Sequence, residues 1–430
     1  MRVGIIGAGF TGLAAAVSLA EKGHKVEVFE SEERPGGLAI GFKDDTWDWP
    51  LEKHYHHLFV SDYFIRNLAQ KSGLEINFTR PKTSTYYQGS VFQLDSPLSL
   101  LLFPHIPFFD RLRTGFGLAL LKISPVWKPL EMITSRWYIE NVMGKKSWQV
   151  IWEPLFRGKF SQYTDQIAAS WFWARIFKRS ASLGYPTGGF QNMADKIAEV
   201  AGKHGVKFNF STKISQIATG SKKEKFIILP DGTRKKFDVI ICTLPSPAFT
   251  RLTPELPPEY TQKLLRPMGI GAVNLVLSLR QSFLTDGTYW LNINDRSMPF
   301  LAIVEHTNFV NRSHYDGDTL VYIGNYLPPD HRYFSLNSNE LLKIFMPHLK
   351  KINPMFSFSW VKKSWVWQAP FAQPIVTTNY SRNIPSIITP LPGIYLANIQ
   401  QVYPWDRGTN YAVELGQKVA SLVLEEAKNS

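Results

Sequence analysis

Cys242 is the only cysteine in this 430-residue chain, so no disulfide can form within it and a reducing compartment is expected. The residue lies in an apolar run that reads as a buried strand, which makes it a core residue and not a nucleophile. Acids are scarce beside bases: 35 Asp and Glu stand against 48 Lys and Arg, for a formal net charge of +13. The excess is dispersed in pairs such as Lys222-Lys223, Lys235-Lys236 and Lys362-Lys363, without an aromatic-basic array, so no nucleic-acid partner is expected. Two readings of that charge stay open, a solvated surface or attraction to anionic lipid head groups. Long apolar runs are missing too. The most apolar stretch, 98–121, is interrupted by Pro104, Pro107, Asp110, Arg111 and Arg113, short of the roughly 20 residues a spanning helix needs. It reads as helices packed inside a second domain, or as an interfacial or substrate-channel element. No basic, apolar and small-residue succession precedes the first strand, so no signal peptide is expected. The expected location is cytoplasmic, with peripheral membrane contact as the alternative. Repeats, low-complexity tracts and long linkers are also lacking.

What is present begins at the N-terminus. A short apolar strand at 3–6 runs into Gly7-Ala8-Gly9-Phe10-Thr11-Gly12, then a helix, then a second strand ending at Glu30. Each piece has a physical task around a pyrophosphate. Gly7 permits the tight turn, Gly9 lets the backbone approach the phosphates, and Gly12 lets the helix lie against the sheet. The phosphates then meet the unpaired N–H groups and the dipole of the helix N-terminus. Glu30 is placed to accept both hydroxyls of an adenosine ribose. Beyond it, Ser31 leads to Arg34-Pro35-Gly36-Gly37-Leu38, where two adjacent glycines make a second close-approach loop.

This last element resembles the acidic-Arg-x-Gly-Gly signature of the flavin amine oxidase superfamily. That superfamily includes monoamine and polyamine oxidases, protoporphyrinogen oxidase and the phytoene and squalene desaturases. Tyr185-Pro186-Thr187-Gly188-Gly189-Phe190 is similar to its mid-chain Pro-x-Gly-Gly turn. Residues 208–217 resemble the strand whose backbone meets the adenine, with Ile214 at the contacting position. Residues 238–245 resemble the strand that ends in a Thr-x-Pro turn, here Thr243-Leu244-Pro245, near the cofactor. Residues 393–397 followed by Gly408-Thr409-Asn410-Tyr411-Ala412 resemble the C-terminal flavin motif, whose helix points at the ribityl and pyrophosphate. The pattern departs from the superfamily at one point: Asn398 and Ile399 stand where Gly and an acid are usual. Arg407 is then a candidate to neutralise the phosphates, or an arginine paired with Asp406 at the surface. No cysteine context for a covalent tether is present, so the resemblance implies non-covalent FAD.

The fold it implies is α/β: a Rossmann-like FAD-binding domain, a parallel sheet flanked by helices, interleaved with an α+β substrate domain built on a mixed sheet. At 430 residues two domains are expected. Residues 1–80, 187–265 and 380–430 would form the FAD-binding domain, and 81–186 and 266–379 the substrate-binding domain. Expected in the latter are a hairpin at 83–94, extended runs at 273–279, 300–305 and 319–326, and a helix near 339–349.

The segment Leu51-Glu52-Lys53-His54-Tyr55-His56-His57-Leu58-Phe59 should pass near the isoalloxazine. If extended, it puts His54 and His56 on one face and Tyr55 and His57 on the other. No third ligand at a suitable spacing supports a metal, so none is expected. A histidine there is a candidate to take a proton or polarise a carbonyl, or else it fixes the loop by hydrogen bonds. Glu305 and His306, with Trp365, Trp367 and Phe371, are candidate pocket residues. The implied function is an FAD-dependent oxidoreductase moving a hydride from an apolar small-molecule substrate, of the isoprenoid or tetrapyrrole type rather than a small amine, to flavin N5. Oxygen or another acceptor takes the electrons. Two alternatives remain. Residues 53–62 are similar to the histidine loop of UDP-galactopyranose mutase, a non-redox flavoenzyme whose C-terminal Gly-Arg and Met-Asp signature is absent here. The other alternative is a flavin-binding protein without turnover.

Overall fold

Two large sheets organise the chain, and the composition of their strands explains their form. The computed structural model describes residues 1–220 and 224–428, so the Lys222-Lys223 pair lies outside the described residues. The first sheet has five parallel strands in the order Lys207–Asn209, Lys25–Phe29, Arg2–Ile6, Val239–Cys242, Ile394–Leu396. Short apolar runs suit a parallel sheet covered on both faces, and Val3, Ile5, Val28, Ile241 and Leu396 are fully buried. Cys242 is buried among them, and burial pushes its thiol pKa up to about 12. Helix Phe10–Ala20 packs through Leu13, Ala14, Ala15 and Leu19. Helix Thr409–Lys428 crosses it so closely that a Cβ on Gly416 would stand 2.3 Å from the carbonyl oxygen of Thr11.

The second sheet has seven strands: Val361–Pro374, Gly269–Leu279, Thr319–Leu327, Ala302–Glu305, Thr288–Ile293, Lys82–Tyr87 and Ser90–Gln93, in that order. All neighbours are antiparallel except Thr288–Ile293 with Lys82–Tyr87. Side chains alternate between its faces. Val273, Leu275 and Leu277 pack with Leu341, Leu342 and Phe345 of helix Ser338–Ile352, while Ala272 and Asn274 face a cavity on the opposite side. The five-stranded sheet draws its strands from 1–80, 187–265 and 380–430, the seven-stranded one from 81–186 and 266–379.

Three differences from the sequence reading have physical causes. The continuous strand expected at 208–217 is broken: Ser211 takes a left-handed φ of +50°, and Gln216–Thr219 joins a separate antiparallel sheet with Lys225–Ile228 and Arg234–Phe237. The link between the pieces donates from Ser211 and Thr212 to the carbonyls of Glu32 and Glu30, so it wraps the Glu30 loop. Two strands were not foreseen, Thr288–Ile293 and the 14-residue Val361–Pro374. The second contains Pro370 and the exposed Lys362-Lys363, which suit only an edge position, and an edge is where it lies. Finally, 97–123 forms helices Pro97–Leu102 and Phe108–Ile123, separated at the prolines. Leu100 and Leu121 are buried, yet Leu98, Leu102, Phe108, Phe109, Phe116 and Ile123 are exposed by 56% to 77%. Interior packing therefore accounts for a minority of their apolar side chains.

Candidate functional site

After strand Arg2–Ile6 the chain turns through Gly7 at φ +101°, a conformation that suits glycine. A Cβ on Gly7 would stand 2.4 Å from Thr243 Oγ1, and that hydroxyl donates to the Ile6 carbonyl (2.9 Å). Pro245, two residues on, caps helix Ser246–Leu252. Gly12 packs still closer, its Cβ position lying 2.0 Å from the Gly7 carbonyl oxygen. Gly9 is different: its φ of −71° suits any residue, and its Cβ position meets only the Cα of Gly37, at 3.6 Å. Gly37, at φ +59°, would bring a Cβ to 3.0 Å from the Gly9 Cα. The two glycine loops thus face each other with bare backbone, a cradle that side chains would fill. Helix Phe10–Ala20 has neither a side-chain cap nor an acid in its first turn, so its leading N–H groups suit an anion. Phe10 is buried and anchors this end, with Thr11 half-buried beside it. These residues fit the pyrophosphate of a dinucleotide.

Glu30, at the end of the second strand, accepts from the N–H groups of Ala8 (2.7 Å) and Glu32 (3.0 Å) and from the Ser31 hydroxyl (3.2 Å). Gly36 donates its N–H to the Ala8 carbonyl (3.0 Å), closing the second loop on the first. Ile214 lies in the link that wraps the Glu30 loop, with its side chain against the core beneath the parallel sheet. At the C-terminal motif, Gly408 is exposed, Thr409 and Asn410 are buried and Ala412 is half-buried. Asn410 Oδ1 accepts from the N–H groups of Phe64 (2.9 Å) and Ile65 (3.3 Å), which ties helix Tyr63–Lys71 to helix Thr409–Lys428. Asn398, standing where the superfamily has glycine, makes side-chain bonds that a glycine cannot: its amide donates to the Leu244 carbonyl (3.1 Å) and to Ser246 Oγ (3.2 Å).

From Leu38 the cradle opens on a cavity lined also by His54, Tyr55, His56, Ala272, Asn274, Asn325, Tyr326, Ala372 and Arg407. The histidine segment is not a strand, so Tyr55 shares the cavity with His54 and His56 instead of opposing them. His57 leaves it, with Nδ1 3.3 Å from the Tyr289 hydroxyl. The Asn274 amide donates to His54 Nδ1 (2.7 Å), which keeps the ring proton on Nε2. His56 Nδ1 donates to the His54 carbonyl (2.6 Å), which leaves its Nε2 as an acceptor. Burial, reinforced for His54 by His56, Arg407 and Lys53, lowers the pKa of His54 to about 3 and that of His56 to about 4. Both rings are neutral near pH 7, one offering a donor and the other an acceptor. Among the described residues no three His, Cys, Asp or Glu side chains gather to hold a metal ion.

Arg407 lies over the Tyr326 ring, bonded to the Tyr326 hydroxyl and to Gln373 Oε1 (2.9 Å). Asp406 points away from it to Arg175 (3.1 Å) and Lys159 (3.6 Å). Burial works to raise the Asp406 pKa, but Lys159, Arg175 and Arg407 outweigh it and hold the carboxyl well below its usual range. Glu52, at the root of the histidine segment, is buried and takes bonds from the Tyr185 hydroxyl (2.9 Å) and the Phe190 N–H (2.8 Å). Burial pushes its pKa up to about 7 despite those bonds.

The other candidate pocket residues lie elsewhere. Glu305 is 1% exposed and holds the turn at Ser282 (2.6 Å), Phe283 (3.1 Å) and Leu284 (2.5 Å). His306 is buried against the Tyr315 hydroxyl (2.9 Å). Trp367 packs on Phe42 at 4.9 Å between centroids, with Lys53 Nζ over its ring, while Phe371 covers Gly269. Trp365 also packs on Phe42, at 5.1 Å between centroids, and none of the five lines the cavity. Asn274, Asn325, Tyr326 and Lys159 were not singled out from the sequence. The one available signal was Asn274 itself, an amide within the otherwise apolar run 270–277.

Fold and site define an α/β protein whose facing glycine loops fit a dinucleotide and whose second sheet helps to wall the cavity beside them. The chain matches the model of flavin containing amine oxidoreductases over residues 10–424 and belongs to that family. Zeta-carotene desaturase of Synechocystis sp. is 26% identical over 296 residues, 59% of this chain and 60% of the relative. L-amino-acid oxidase of Naja atra is 33% identical over 109 residues, 24% and 22% of the two chains. The chain thus spans from 22% to 60% of the length of these curated relatives. Reduced UDP-galactopyranose mutase shares the fold, with a TM-score of 0.78 at 16% identity over 99% of this chain and 95% of the mutase.

Proposed function

We propose that this protein is an FAD-dependent oxidoreductase that binds FAD non-covalently and oxidises a small molecule. The observation that carries this reading is the bare-backbone contact of the Gly9 and Gly37 loops, opening at Leu38 on the cavity. When bound, FAD supplies the hydride acceptor, and oxygen or another acceptor drains the electrons. The chain's own residues orient the donor carbon and exclude water. Asn274 fixes His54 so that its Nε2–H can donate to a substrate oxygen or nitrogen, while His56 Nε2 accepts. With pKa values this low, neither histidine is a strong base at neutral pH, so polarising and positioning suit them better than proton abstraction. The apolar side chains of helices Pro97–Leu102 and Phe108–Ile123, part of the insertion on which the apolar-substrate expectation rested, are largely exposed, whereas His54, Asn274, Asn325 and Arg407 bring polar groups into a cavity whose wall is otherwise mostly apolar. We therefore assign a substrate with hydrogen-bonding groups at its reacting end. The test is a visible spectrum of the purified protein, followed by anaerobic addition of amines, amino acids, porphyrinogens and polyenes. One of them should bleach the flavin band; a colourless protein with no affinity for added FAD would overturn the reading.

A second reading draws on the histidine segment, which places His54 and His56 in the cavity and is similar to the mutase loop. It requires that the pre-reduced protein isomerise a sugar nucleotide without consuming electrons. Absence of that isomerisation removes it.

We also propose peripheral docking on an anionic membrane through helices Pro97–Leu102 and Phe108–Ile123. Among the described residues, no helix is long and apolar enough to cross a membrane. Helix Phe108–Ile123 exposes Phe108, Phe109, Phe116 and Ile123, and carries Arg111, Arg113 and Lys122 against the single acid Asp110.

A further inference from the structure

Inside the cavity one positive charge has no carboxylate in ion-pair contact with it. Arg407 donates from Nε to Gln373 and from Nη2 to the Tyr326 hydroxyl, both neutral oxygens. The adjacent carboxylate, Asp406, is committed elsewhere. Its Oδ2 faces Arg175 (3.1 Å) and Lys159 (3.6 Å), and its Oδ1 accepts from the Trp171 indole (3.0 Å), the Arg407 backbone N–H (3.0 Å) and Gln373 (3.4 Å). Lys159 is 9% exposed, with Nζ 5.4 Å from the centroid of the same Tyr326 ring that Arg407 covers. Two guanidinium cations, Arg175 and Arg407, and the Lys159 amine, whose pKa burial drives well below its ordinary value, thus share one acid, and among the described residues no other carboxylate lies within ion-pair distance of them. Withdrawing cations from water without counter-charges is costly. A side chain kept there only for packing would not need the charge. Asn274, Asn325, Tyr326 and His54 surround the same space with polar groups.

We propose that the substrate carries an anionic group, a carboxylate or a phosphate, that seats against Arg407 in this cavity. The inference rests on the oxidoreductase reading and deepens it by naming a property of the substrate. A guanidinium presents paired N–H donors matched to either oxyanion. Anchoring one end of the substrate there fixes its approach to His54 and His56, which is the positioning a hydride donor needs.

The test uses the FAD-loaded protein, read by its visible spectrum, with benzoate, phenyl phosphate and neutral benzamide as probes. At least one anion should perturb the flavin band saturably, and benzamide should bind at least tenfold more weakly. The preferred anion separates a carboxylate from a phosphate substrate. Arg407→Gln should weaken the anion tenfold or more, with partial recovery in Arg407→Lys, whereas a folded Arg407→Gln that loses FAD assigns Arg407 to the cofactor's phosphates and overturns the proposal. Equal perturbation by benzamide, no perturbation by either anion, or unchanged anion affinity in a yellow Arg407→Gln protein overturns the proposal. Should Arg407→Gln not fold, Lys159→Gln takes its place, with a severalfold loss expected and no loss contradicting the proposal. A protein that takes no FAD fails before any probe is added, and that result strikes the oxidoreductase reading instead.

Discussion

Glu52 shows how one buried side chain can set a pH response for the whole fold. Its folded pKa of about 7 exceeds the ordinary 4.5, so the folded state holds the proton more tightly than the unfolded one. Stability therefore falls as pH rises from about 4.5 to about 7 and stays lowered above that. Glu52→Gln should remove a penalty on the order of 3 kcal/mol at pH 8 and little at pH 4. Urea unfolding at the two pH values checks this, and an equal effect at both would contradict it. His54 carries the opposite expectation. With its pKa near 3, its ring resonances should stay flat in an NMR titration from pH 5 to 8, whereas an inflection near 6.5 would show a solvated histidine. At this scale the sequence revealed backbone chemistry better than side-chain chemistry. Gly7 makes the expected turn, and Gly12 and Gly37 make close backbone contacts, because a glycine's backbone geometry follows from local spacing. Glu305 and His306 looked available, but their partners at Ser282 and Tyr315 could be known only from packing.

Elements divide along the same line. The strand-turn-helix unit at the N-terminus was legible because its hydrophobic period and glycines agree. Strand Val361–Pro374 was not, since its proline and lysines fit a strand only once an edge position is known. Gly416 escaped notice as well, although the crossing of helices Phe10–Ala20 and Thr409–Lys428 depends on it. Gly416→Val forces a Cβ against the Thr11 carbonyl and should destabilise the protein by about 1–3 kcal/mol; wild-type resistance to thermal unfolding in this variant would contradict the packing described. Helix Phe108–Ile123 supplies the prediction for the outer surface. Phe108→Ser with Phe109→Ser should markedly reduce sedimentation with vesicles rich in anionic lipid while leaving the flavin spectrum unchanged. Equal sedimentation of variant and wild type would remove the docking face.

For the whole molecule, the decisive relation is between two sheets that the chain visits alternately. Matches near both ends and in the middle of the sequence made the five-stranded parallel sheet and its interleaving readable. How the seven-stranded sheet faces the histidine segment was not, because Asn274, Tyr326 and Arg407 meet only through contacts far apart in the chain. The most direct measurement of the central claim is FAD binding by the wild type and by Gly9→Val, each followed by circular dichroism and visible absorbance. Gly9 has an ordinary φ and room for a Cβ, so the variant should keep its far-ultraviolet spectrum while losing at least tenfold in FAD affinity. A variant that folds and binds FAD as tightly as the wild type would contradict the account.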